Sequence, residues 1–132
     1  MPEKTTLQRA RRDRRQGKAP TTQAGEFVRE EIEHVRRGKH GVRSTKQAIA
    51  IGLSKARRAG VKLRPPKKGK TSARTRRRAQ RDYRRAQSRS KRRPSRARSR
   101  AVTRALKREG RGGASSRALS RQARRSRRRR SR

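Results

Sequence analysis

Cysteine and tryptophan are absent from this chain of 132 residues, and phenylalanine, tyrosine and methionine occur once each. Without cysteine there are no disulfides and no thiolate metal sites. With only Phe27 and Tyr83 as aromatics, there is no platform on which successive single-stranded bases could stack. Acids are also scarce, eight against 48 lysines and arginines, and hydrophobic residues make up 24% of the chain. No apolar run reaches the length of a membrane span or a signal-peptide core, so the expected setting is cytoplasmic and nucleoid-associated, with no membrane partner. A chain this poor in apolar residues is expected to leave much of its backbone unordered, because burial would not offset the entropy of ordering it.

What the sequence has in abundance is positive charge, +40 net. Residues 1–21 carry +5 and residues 22–63 carry +6, leaving +29 for residues 64–132, where 31 basic residues face only Asp82 and Glu109. A molecule so charged repels itself, and a polyanion relieves the repulsion. Duplex DNA offers one phosphate per roughly 1.7 Å of axis, so the full charge would match about 20 base pairs. Arginine outnumbers lysine 37 to 11. Guanidinium grips phosphate as a fork where ammonium is a point charge, which favours phosphate as the target.

The middle of the chain reads differently. Between Glu26 and Arg37, Val28, Ile32 and Val35 form one helical stripe with Phe27 on its flank, and Gly38 and Gly41 stop the helix. A second helix opens at a Ser44–Gln47 capping box and runs to about Ala59 before Gly60. One of its faces collects Ala48, Ile49, Gly52, Leu53, Ala56 and Ala59, mostly small residues that would let another helix come close. Pro65 and Pro66 then open a linker.

The expected fold is therefore mostly α with extensive disorder: a small helical hairpin plus an arginine-rich, conditionally helical tail. Residues 1–21 form a basic arm, helical from Glu3 to Arg15; 22–63 form the hairpin; 64–70 are a Pro/Lys linker; 71–132 are the Arg/Ser-rich tail. In that tail, segments 71–88, 95–109 and 115–128 wind into helices once phosphate neutralises their like charges at i,i+4. Serine–arginine pairs such as Ser88-Arg89, Ser99-Arg100 and Ser131-Arg132 give it low complexity.

Signals for other chemistry are thin. Gly69-Lys70-Thr71-Ser72 resembles the end of a phosphate-binding loop, but Arg64 stands where the first glycine belongs and no strand precedes it. His34 and His40 have no further His or Cys partners for a zinc shell, so no metal site is expected. Glu30 and Glu31 are adjacent on a helix and diverge, which suits pairing with Arg29, Arg36 or Arg37 better than catalysis. No nucleophile–base pair or cofactor fingerprint is present, so no enzyme activity and no cofactor are expected. A helix-turn-helix reader would need a polar recognition helix, whereas Ser44–Ala59 offers only Lys46, Gln47, Lys55, Arg57 and Arg58.

The stretch Thr21-Thr22-Gln23-Ala24-Gly25-Glu26-Phe27-Val28, followed by Gly38-Lys39-His40-Gly41 and the run STKQAIAIGLSKARRAG over residues 44–60, resembles an uncharacterised family of small, highly basic bacterial proteins. The resemblance covers residues 1 to 85, and 44–60 is its specific part. Some members carry the labels DNA-binding or plasmid-stabilisation protein. The resemblance implies a bacterial source and a nucleoid setting, and it brings no catalytic residues.

The reading that follows is a histone-like, nucleoid-associated protein that contacts duplex DNA mainly through phosphates, with little sequence preference. DNA is favoured over RNA as partner, and the hairpin is a place for self-association. The alternatives are an RNA- or ribosome-associated basic protein and an adaptor whose hairpin binds a protein. Phosphate contacts are expected from Lys55, Arg57 and Arg58 at the end of the second helix and from Lys67, Lys68 and Lys70 in the linker. They continue through Arg74, Arg76, Arg77, Arg78, Arg81, Arg84, Arg85, Arg92 and Arg93. Arg104, Lys107, Arg108, Arg124, Arg125, Arg127, Arg128, Arg129 and Arg130 complete the set.

Overall fold

Capping and glycine signals set the helix ends in the computed structural model, which describes residues 2–88 and 95–130. Among these residues there are six α-helices: α1 (Lys4–Arg15), α2 (Pro20–Arg36), α3 (Thr45–Arg58), α4 (Ala73–Gln87), α5 (Arg96–Arg108) and α6 (Ser116–Arg130). A 3-10 turn at Gly112–Ala114 precedes α6. The basic helices α4, α5 and α6 all start on serine. The hydroxyls of Ser72, Ser95 and Ser115 accept from the amides of Thr75, Arg98 and Ala118 at 3.2, 3.2 and 3.1 Å. Such a cap contributes about 1 kcal/mol, enough to matter where neighbouring arginines repel. At the other ends, Gly38 and Gly60 take φ of 79° and 102°, the left-handed turn that closes α2 and α3.

Ser44 Oγ accepts from Gln47 N at 3.2 Å, as a capping box requires, but Gln47 Oε1 reaches past it to the Arg43 amide at 2.6 Å. Helix α2 starts earlier than its apolar stripe suggests, because Pro20 occupies its first position, where a missing N–H costs nothing.

The described residues fall into two compact units, Met1–Glu30 with Ile51–Arg93 and Glu31–Ala50 with Pro94–Arg132. In the first, Ala10, Ala24, Phe27, Ala56 and Val61 form the buried cluster, flanked by Leu7, Leu53 and Leu63. Helices α2 and α3 touch backbone to backbone there: a β-carbon on Gly52 would lie 2.6 Å from Val28 Cα. On the small-residue face of α3, Ala48, Gly52 and Ala56 are thus buried within the chain, while Ala59 at its end is exposed. Helix α4 joins this unit through buried Ala79 and through Ser54 Oγ, which donates to Asp82 at 2.7 Å.

The second unit relies on backbone groups. Gly41 N donates to Leu106 O at 2.7 Å and Val42 N to Gly110 O at 2.9 Å. Thr45 Oγ1 donates to Gly113 O at 2.6 Å, and Arg36 Nε to Ala114 O at 2.9 Å. A β-carbon on Gly41 would overlap the Glu109 carbonyl. Val35, Val42, Ala48 and Ala114 are its buried apolar residues.

These observations correct the expectation of extensive disorder with a conditionally helical arginine-rich tail. Residues 73–87, 96–108 and 116–130 are helices in the free chain, and they are built into compact units rather than trailing from a hairpin. The physical reason is that the fold needs little apolar area. Six of its ten buried apolar residues are alanine, which lets backbones approach, and direct hydrogen bonds between segments supply order that large side chains would otherwise provide.

Candidate nucleic-acid interface

The eight acids decide the surface. Asp13, Glu30 and Glu31 are buried, while Glu3, Glu26, Glu33, Asp82 and Glu109 are half-buried, so none stands fully exposed. Several are engaged within the fold. Glu30 Oε1 accepts from Glu3 N at 2.6 Å, Asp82 accepts from Ser54, and Glu33 lies 3.9 Å from Arg37. Asp13 lies 3.6 Å from Lys18, but its buried Oδ2 has no hydrogen-bond donor. Glu26 beside it is pushed above the ordinary glutamate range, first by burial and then by the hydrogen bond and charge of Asp13, with Arg9 and Arg29 opposing. On acidification, uptake of a proton by Glu26 would give the facing pair a donor.

With no acid fully exposed, the basic helices present nearly unmixed positive faces. On α4, Arg74, Arg77, Arg81 and Arg84 recur every three or four residues beside Gln80 along one open groove. At 1.5 Å rise per residue the row is about 15 Å long, the axial rise of roughly four base pairs. Arg78 and Arg85 are exposed beside it, and Arg76 is half-buried. On α5, Arg100, Arg104 and Lys107 line a similar groove with Ser99 and Thr103, and Arg108 is exposed. On α6, Arg124, Arg125, Arg127, Arg128 and Arg129 are exposed, while Ala118, Leu119, Gln122 and Ser126 occupy the less exposed side.

Other expected contacts sit differently. Lys67, Lys68 and Lys70 are exposed in the turn around Gly69, where Lys68 bridges to Thr71. Arg58 is exposed and Lys55 half-buried. Arg57 is turned inward: it is 7% exposed, and its Nε donates to Leu63 O at 3.1 Å and its Nη2 to Arg64 O at 3.4 Å. Burial pushes its pKa down, with Asp82 opposing. Arg92 and Arg93 lie outside the described residues, as does the side chain of Arg130.

Further exposed cations lie outside the expected set of phosphate contacts: Arg9, Arg11, Arg12, Arg14 and Arg15 on α1, Arg96, Arg98 and Arg100 on α5, and Arg117 and Arg121 on α6. The signal that finds them is helical phase: Arg100–Arg104–Lys107 and Arg117–Arg121–Arg124–Arg128 each keep to one side of a helix.

A separate cluster gathers Glu31, His34 and His40, whose ligand-type atoms all lie within 4.8 Å of one another. The Glu31 carboxylate oxygens lie 3.2 Å from His40 Nε2 and 3.9 Å from His34 Nδ1.

Among the described residues no helix is long and apolar enough to cross a membrane. Residues 4–68 match the Family of unknown function (DUF6496), and the match ends before α4, so the arginine helices α4 to α6 lie beyond it. No curated protein and no solved structure gives a significant match to the chain.

Proposed function

We propose that the protein binds nucleic acid, duplex DNA in preference to RNA, mainly through phosphate contacts from the exposed faces of α4, α5 and α6. The observation that carries this reading is the sorting of charge: of the eight acids three are buried and five half-buried, while the guanidinium rows stand exposed. Coulomb attraction then draws in a polyanion with little interruption, and fork-shaped donors hold phosphate oxygens. Sequence preference is slight, because a row of arginines along a helix reads backbone charge rather than base edges. The likeness to small basic bacterial proteins, some labelled DNA-binding, agrees with a nucleoid-associated, histone-like role.

Fluorescence-anisotropy titration of a labelled duplex at several salt concentrations tests the proposal. With roughly ten phosphates neutralised, affinity falls by several decades between about 50 and 200 mM salt. Replacing Arg77, Arg81 and Arg84 together by Gln lowers the slope of log K against log salt by about three. An affinity that barely responds to salt sinks the reading. Crosslinking in cells that recovers mainly ribosomal RNA transfers it to RNA.

A further inference from the structure

We propose that Glu31, His34 and His40 form a binding site for a divalent transition-metal ion, with zinc the best fit to the donor set. The site is independent of the nucleic-acid reading. Glu31 and His34 stand three apart on α2 and so share a face of the helix. His40 comes from the following loop, whose next two residues are pinned by hydrogen bonds from the Gly41 and Val42 amides to Leu106 and Gly110. Glu31 is 0% exposed, an unusual place for a carboxylate on a protein with so much open surface.

Tautomer chemistry narrows the choice. His40 Nδ1 lies 3.0 Å from Gly41 O, and a carbonyl only accepts, so Nδ1 holds the proton. Nε2 then aims a lone pair at Glu31 Oε2, 3.2 Å away. Two acceptors at that distance need a cation or a second proton between them. Metal-ligating histidines are commonly fixed in this way, with the far ring nitrogen donating to a backbone carbonyl. Two histidines and a carboxylate also form a known three-ligand zinc set that leaves a fourth position open. Tetrahedral zinc places its ligands about 3.3 Å apart. Here Glu31 Oε2 lies 3.2 Å from His40 Nε2 and Glu31 Oε1 3.9 Å from His34 Nδ1, with the three ligand atoms within 4.8 Å of one another, so an ion would draw the two imidazoles together. The side chains of His34 and His40 keep 11% and 13% exposure, which leaves a route for the ion.

The test uses the full chain, stripped with EDTA and titrated with zinc against a chromophoric chelator, alongside His34→Gln and His40→Gln. One zinc per chain is expected, with affinity reduced at least tenfold in each variant. In the wild type, zinc at a hundredfold excess over Kd should raise Tm by about 10 °C relative to EDTA. Equal Tm in zinc and EDTA, or the same zinc uptake in the variants as in the wild type, overturns the proposal and leaves an imidazolium–carboxylate pair. Should circular dichroism show a variant unfolded, the wild-type Tm comparison decides alone.

Discussion

The two units solve the same shortage by different means. The one containing Phe27 keeps its few larger apolar side chains together, with Leu7, Leu53 and Leu63 around an alanine-rich centre. The one containing Gly41 has Val35, Val42, Ala48 and Ala114 as its buried apolar residues, and joins its segments by four hydrogen bonds to backbone carbonyls. The contrast teaches that a polycation can fold without a conventional core when backbones lie close enough to bond directly. The first unit should fail when volume is removed. The second should fail when volume is added.

The largest effect is expected from Phe27→Ala, since Phe27 is fully buried and the one large side chain of its cluster. Destabilisation of about 3–5 kcal/mol is expected, read by urea denaturation. Hydrogen exchange sharpens the comparison if Ala24 and Ala56 lose protection before Gly41 and Val42, and breaks it if all four go together. Next comes Gly41→Ala, whose methyl would collide with the Glu109 carbonyl. A loss of about 1–3 kcal/mol is expected, with exchange quickening at the amides of Gly41 and Val42.

The smallest effect has the opposite sign. The raised pKa of Glu26 means that its folded form favours the proton, so the contribution is present below the unfolded pKa and lost as pH rises through the folded one. Glu26→Gln keeps a donor facing Asp13 at every pH. The variant should therefore be slightly more stable than wild type at pH 7, by under about 1 kcal/mol, with the gap closing toward pH 4. Thermal melts across that range check it, and a gap that widens on acidification would refute the shared-proton account.

Much of the helical framework was legible. Glycines at 38 and 60, the serine before α3 and the apolar return at Val61 are local signals, and they mark real ends. The small face of α3 foretold a close helix contact, which the chain makes with its own α2 at Val28. The stripe of α2 was misread by rotation. Its deepest positions are Ala24, Phe27, Glu31 and Val35, and a glutamate among them looks like solvent to any hydrophobicity pattern. The same substitution hid the meeting of His34 with His40, because no periodicity marks a loop folding back onto a helix. Order in α4 to α6 was illegible for another reason: single alanines such as Ala79 and Ala114, and carbonyls such as Gly113 O, do the joining; isolated alanines make no apolar stripe among arginines, and a backbone carbonyl leaves no mark in composition.

The serines that open α4, α5 and α6 have a thermodynamic consequence for any polyanion that arrives. Helices already wound need no disorder-to-order step on contact, so binding buries little new apolar surface. Calorimetry should then record a heat-capacity change close to zero and a weak temperature dependence of the enthalpy, the signature of rigid rods exchanging small counterions for phosphates.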